Sequence, residues 1–186
     1  MTLPQKDSPV LLDRGIQEVQ NLVAELQIFD NVFPRAYKRA ERSGNTESSF
    51  PAVYKGAREY LSVLPDDTLG NYCFFEVDDP QVSIPMSPNH MGLRAQVSLI
   101  AWFNMESLYT DDAMMYSEEV KELVMRQLSK KGVMQHSSAQ ITNVYEKPEN
   151  IFRYSIKQID AQYLMHPYHA FRIEFTLIVR ETCLGN

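Results

Sequence analysis

Apolar residues recur at Leu12, Ile16, Val19, Val23 and Leu26 in steps of four and three, with Glu18, Gln20 and Glu25 set away from them. That spacing gathers one stripe on an α-helix. Ser8 before Pro9 offers an N-cap followed by a proline at the first helical position, and Asp30-Asn31 offers turn chemistry. The pattern predicts a helix from Pro9 to near Phe29. A second helix is predicted over about Asp111 to Lys131, with Tyr116, Val120, Leu123, Val124 and Leu128 as its inner stripe and Asp111 or Asp112 as N-cap. Its acids Glu118, Glu119 and Glu122 precede the bases Arg126, Lys130 and Lys131, as the helix dipole favours, and Gly132 is placed to end it.

Two segments alternate with the period of a strand. Leu93, Ala95, Val97, Leu99, Ala101 and Phe103 share one side opposite Arg94, Gln96 and Ser98, and Phe171, Ile173, Phe175, Leu177 and Val179 do the same opposite Arg172, Glu174, Thr176 and Arg180. Ile100 and Trp102 break the polar side of the first segment. Tyr72 to Val77 alternates too and is expected to stop at Asp78-Asp79-Pro80. Gln140 to Tyr145 reads as a further strand. Phe50 to Tyr54 is an apolar run suited to an edge strand, because Pro51 cannot donate to a central ladder. Ile151 to Leu164 fits both periods: Ile156, Ile159 and Tyr163 are spaced for a helix, Phe152 and Tyr154 for a strand.

Residues 32–49 and 80–91 are expected to be projecting loops. The first is polar and carries Arg35, Lys38, Arg39 and Arg42 before a Ser-Gly-Asn-Thr stretch; the second holds Pro85, Pro88 and Asn89 between strands. Two readings stand for 32–49: a contact arm for a neighbouring acidic surface, or a solvated loop. The order helix, strands, helix, strands predicts an α+β fold, a mainly antiparallel sheet with two main helices packed on one face and the other face turned to solvent or a partner. Ile100 and Trp102 would lie on that second face, either as an apolar docking patch for another subunit or covered by the chain's own loops.

The chain has 186 residues, 44% hydrophobic and 23% charged, within the range of a single globular domain spanning 1–186. A formal charge of −6 with no long basic block argues against non-specific nucleic-acid binding, while leaving room for DNA to pass without sticking. Met1 to Val10 lacks the apolar stretch of a signal peptide, and no window approaches the roughly 18 apolar residues that span a bilayer. Cys73 sits in an apolar run and, with Cys183, is expected to be a reduced residue rather than half of a bridge.

Candidate chemistry is sparse. His166 and His169 have a spacing that would converge on a metal within a helix, but Pro167 lies between them and no third ligand stands nearby in sequence. Asp66-Asp67, Asp78-Asp79 and Asp111-Asp112 could hold a cation, yet each falls at a predicted turn or helix start where aspartate satisfies backbone donors. No serine lies in a G-x-S-x-G elbow and no glycine loop suits a phosphate. No catalytic, cofactor or metal residue is assigned. Met86, Met91, Met105, Met114 and Met115 could line an adaptable surface or fill a core.

The opening amphipathic helix, the Phe-Pro-Ala-Val-Tyr strand at 50–54, the strand at 93–103, the helix at 111–131 and the closing strand at 170–181 together resemble the tail-terminator and tail-completion proteins of long-tailed bacteriophages, with related folds among head-tail joining (neck) proteins. The resemblance implies a non-enzymatic virion protein, assembled in the host cytoplasm, whose copies form a hexameric ring. Such a ring caps the tail tube and meets the head-connector proteins, with DNA passing through unbound. Ile100 and Trp102, with Arg35, Lys38, Arg39 and Arg42, are then the candidate contacts between copies or with these partners. A small-ligand or protein-binding module using the Met-rich and aromatic surface is the alternative reading, and an enzyme with a dispersed site the third.

Overall fold

A computed structural model describes residues 4–43, 46–87, 90–109 and 117–180. Helix α1 spans Leu11–Ala24, and Gly15, Ile16, Val19 and Val23 are buried along its inner stripe. It starts two residues later than predicted: Val10 occupies the N-cap without a side-chain hydrogen bond. It also ends five residues sooner, where Gln27 adopts φ 57° and cannot continue the helix. Gly15 lets α1 come close to the sheet, because a Cβ there would stand 2.6 Å from Val179 Cγ2. Gln20, expected to face outward, is instead buried and donates to the Val32 carbonyl at 2.7 Å. Glu18, also expected outside, accepts from the backbone N–H of His136.

Seven strands follow in the sheet: β1 (Asn31–Ser43), β2 (Thr46–Gly56), β3 (Glu59–Ser62), β4 (Tyr72–Ser87), β5 (His90–Asn104), β6 (Ser137–Tyr145) and β7 (Tyr168–Arg180). Their order is β3-β2-β1-β4-β5-β7-β6, and every pairing is antiparallel except β1 with β4. Short helices α2 (Met105–Leu108) and α4 (Pro148–Ile151) flank the main second helix, α3 (Ser117–Leu128). The fold is α+β, with α1 and α3 on one face of a mainly antiparallel sheet. In α3, Val120, Val124 and Leu128 point inward, but Leu123 is exposed. Tyr116 and the expected N-caps Asp111 and Asp112 lie outside the described residues.

Both expected loops are strands. Residues 32–43 and 46–49 belong to the β1-β2 hairpin, and 80–87 and 90–91 extend the β4-β5 hairpin. The ladder tolerates Pro80 because its register shifts between Asp78 and Val82, leaving an irregular step where a missing donor does no harm. Pro51 is not on an edge either, since β2 lies between β1 and β3. Its carbonyl accepts from Val63, just past the end of β3, so its nitrogen faces a side where the paired strand has stopped.

One core lies between the helices and the sheet, where the alternating residues of β5 and β7 meet α1 and α3. The opposite face carries a second core rather than turning to solvent or a partner, and of the two readings of Ile100 and Trp102 the one in which the chain covers them is the one observed. Ile100 and Trp102 project there with Tyr72 and Phe74, and residues 148–170 close over them with Ile151, Phe152 and Ile159. This covering segment is built from single turns, α4 and the 3-10 turns Ile156–Gln158 and Ala161–Leu164, which is why neither helix nor strand spacing held across it.

The first half of the polar side of β7 is buried too, while Thr176 is partly open and Arg180 exposed. Arg172 is 1% exposed, donating from Nε to Ser98 Oγ at 3.1 Å and from Nη1 to Glu76 Oε2 at 2.8 Å and to the Ile151 carbonyl at 3.0 Å. Its Nη2 makes no hydrogen bond and stands 4.0 Å from an Asp78 oxygen. Glu174, also buried, accepts from Arg153, Asn143 and Tyr145. The covering segment is thus attached both by apolar contact and by charge.

Removing one partner of a buried ion pair strands the other and costs about 3–5 kcal/mol. Arg172→Ala should lower unfolding free energy in urea by that amount, while Arg126→Ala, at an exposed helical pair, should change it by less than about 1 kcal/mol. Cys73 is fully buried, which pushes its thiol well above the ordinary range. In a Cys183→Ser background, iodoacetamide should leave the native protein unmodified by mass and add one adduct only after denaturation.

Candidate interaction surface

Beyond Arg35 the β1-β2-β3 sheet leaves the main sheet, because the β1 to β4 pairing covers only Asn31, Val32 and Arg35. The three strands form a wing. Past the register shift near residue 33, alternation sets Arg35, Tyr37 and Arg39 on one face of β1, and Ala36, Lys38 and Arg42 on the other. Cross-strand partners extend the first face: Tyr37 pairs with Ala52, Arg39 with Phe50, and Tyr54 with Tyr60. Ala36 and Val53 turn the opposite way, into the second core.

The first face is open. Tyr37, Tyr54 and Tyr60 are 42%, 48% and 43% exposed. The guanidinium of Arg39 lies 4.3 Å from the ring centre of Tyr60, that of Arg35 lies 5.2 Å from Tyr37, and the Tyr54 and Tyr60 rings are 5.2 Å apart. These contacts hold the long side chains flat against the sheet, which reduces the entropy lost when the face is covered. Arg35 Nε is buried without a hydrogen-bond partner.

On the other face Lys38 stands 5.3 Å above the ring of Tyr154. Burial, and then the Glu76 carboxylate, push that phenol up from its ordinary value. Arg42 is exposed near the hairpin tip. Of the residues singled out from sequence, Arg35, Lys38, Arg39 and Arg42 therefore do share an exposed arm, as strand rather than loop. Ile100 and Trp102 are 0% and 1% exposed. They offer no docking patch: the Trp102 indole donates to the Tyr163 carbonyl at 2.9 Å and stacks on Tyr168 at 5.1 Å. The tyrosines of the wing were missed, although the Arg-x-Tyr-x-Arg alternation at 35–39 was a signal that could have found them.

Elsewhere, Met86, Met91 and Val82 are exposed near the end of the β4-β5 hairpin, whereas Met105 is buried in the first core; Met114 and Met115 lie outside the described residues. His166 and His169 do come together, with ring centres 5.9 Å apart, beside a cavity of about 180 Å³ that Phe152, Phe171 and Glu146 also line. Burial, and then His166, lower the pKa of His169. Among the described residues no group of three or more His, Cys, Asp or Glu side chains could hold a metal ion. Asp66 and Asp160 cap the turns that follow them, while Asp78 and Asp79 lie within β4 instead of a turn. No helix among the described residues is long and apolar enough to cross a membrane.

No family model matches the chain, and no curated protein matches it.

Proposed function

We propose that the protein is a structural subunit whose copies close into a ring in the tail or neck of a long-tailed phage or phage-derived particle, capping the tail tube or joining tail to head. The observation that supports this reading most is the exposed Arg-Tyr face of the wing. Tyrosine and arginine are the residues that concentrate binding energy at protein interfaces. The apolar residues of the main sheet are taken up by the two cores, one on each face, whereas the wing side chains stay open to a contact outside the subunit. The chain's net charge of −6 suits a ring through which DNA passes unbound. The tail tube and the head-connector proteins are the neighbours this reading gives it.

A second reading, a protein-binding module, is favoured by Met86, Met91 and Val82 at the β4-β5 hairpin, an adaptable apolar tip. The two differ in what the chain does alone. As a ring subunit it should sediment as a discrete multiple of its 21.5 kDa mass, either by itself or when mixed with the tail-tube protein of the same genome. Monomer in both mixtures, by analytical ultracentrifugation, would rule the ring out.

A further inference from the structure

Residues 31–62, the wing, contain six Lys and Arg against three Glu, a net +3. The chain total is −6, so the remaining residues carry −9. Within the chain this asymmetry is not neutralised: none of Arg35, Lys38, Arg39 and Arg42 makes an ion pair among the described residues. At the end of the sheet where β4 begins and β5 finishes, the opposite holds. The charges of Asp66, Asp67 and Asp160 act on the Tyr163 phenol and those of Asp67 and Glu106 on the Tyr168 phenol. Asp67 accepts from the Tyr168 hydroxyl at 3.0 Å, and none of these four carboxylates is ion-paired among the described residues.

Resting on the ring reading, we infer that the Arg-Tyr face of the wing docks on the carboxylate-rich end of a second copy of this chain. Charge complementarity selects the occupant. The two patches are separated on one subunit: Arg35 pairs beside Phe75, and Arg39 lies roughly 13 Å further along β1 at about 3.3 Å per residue, away from the end where the acids gather. Distinct patches meeting head to tail give a heterologous contact, the kind that closes into a ring when its rotation permits. Arg39 and Tyr60 stand at the centre of the face, and the contact replaces their solvent with the tyrosines and carboxylates around Tyr168.

Single-stranded nucleic acid would also find cations and aromatic rings here, but the wing intersperses Glu41, Glu47 and Glu59 among its cations, and the rest of the molecule repels phosphate. The complementary charge belongs to the chain itself.

The test uses the full chain, under whichever of the two conditions above gives assembly. Arg39→Glu should shift the sedimenting species to monomer, Tyr60→Ala should weaken assembly at least tenfold, and Asp67→Lys with Glu106→Lys should also dissociate it. Combining Arg39→Glu with Asp67→Lys and Glu106→Lys should recover assembly, which a merely misfolded variant would not do; near-ultraviolet circular dichroism checks each fold. Wild-type assembly that survives Arg39→Glu and Tyr60→Ala would overturn this contact while leaving the ring intact, and a monomeric wild type would overturn both. Tight binding of a fluorescent single-stranded oligonucleotide, lost in Arg39→Glu, would reassign the face to nucleic acid.

Discussion

The half of β5 and β7 from Ser98 to Phe103 and from Phe171 to Glu174 is buried on both faces, and much of the architecture is the consequence. On one side their alternating apolar residues meet α1 and α3. On the other, Ile100 and Trp102 cannot be left in water without forfeiting roughly 2–3 kcal/mol each of apolar transfer energy, so the chain brings residues 148–170 back across them. Before β7 begins, that return is built from single turns, and it packs Tyr163 and Tyr168 against Trp102.

Apolar burial supplies the attraction in this second layer, and the charges around Arg172 fix its position. A buried ion pair gains little over a well-packed apolar replacement, since desolvation offsets the Coulomb energy. What Arg172 adds is direction. Its guanidinium reaches Ser98 on β5, Glu76 on β4 and the carbonyl of Ile151 at the end of α4. Three elements distant in sequence are therefore held in one register, and sliding the covering segment by a residue would break bonds in a place water cannot reach. Arg153 and Glu174 repeat the link from the covering segment to β7.

Much of this was legible where one periodicity ran unbroken. The stripe of α1 and the alternation of β5 and β7 specified the helix-covered core almost residue by residue. The second face was legible only as an anomaly, the polarity break at Ile100 and Trp102; the same alternation that identified β7 wrongly sent Arg172 and Glu174 to solvent, because a buried charge and an exposed one are written with the same letter. The β1-β2 and β4-β5 hairpins were hidden by their composition. Prolines at 51, 80 and 85 normally argue against a ladder, and here a strand ending early or a register shift removes the objection. The four cations of β1 were found as an arm and Tyr37 was legible between them, while Tyr54 and Tyr60 lie on strands whose pairing no local pattern declares.

Filling both faces of the central sheet has a consequence for where interaction can occur. Contacts with other molecules then fall to parts that stand beside the two cores, and the wing is such a part: it pairs with β4 at three register positions, sends Ala36 and Val53 into the second core, and its Ser49 carbonyl accepts from Gln158 at 2.7 Å. These contacts fix the wing along one of its faces, and the Arg39 and Tyr60 contact lies on the other. β5 itself has little to offer another molecule, since its residues from Val97 to Phe103 are already divided between the two cores or buried between them.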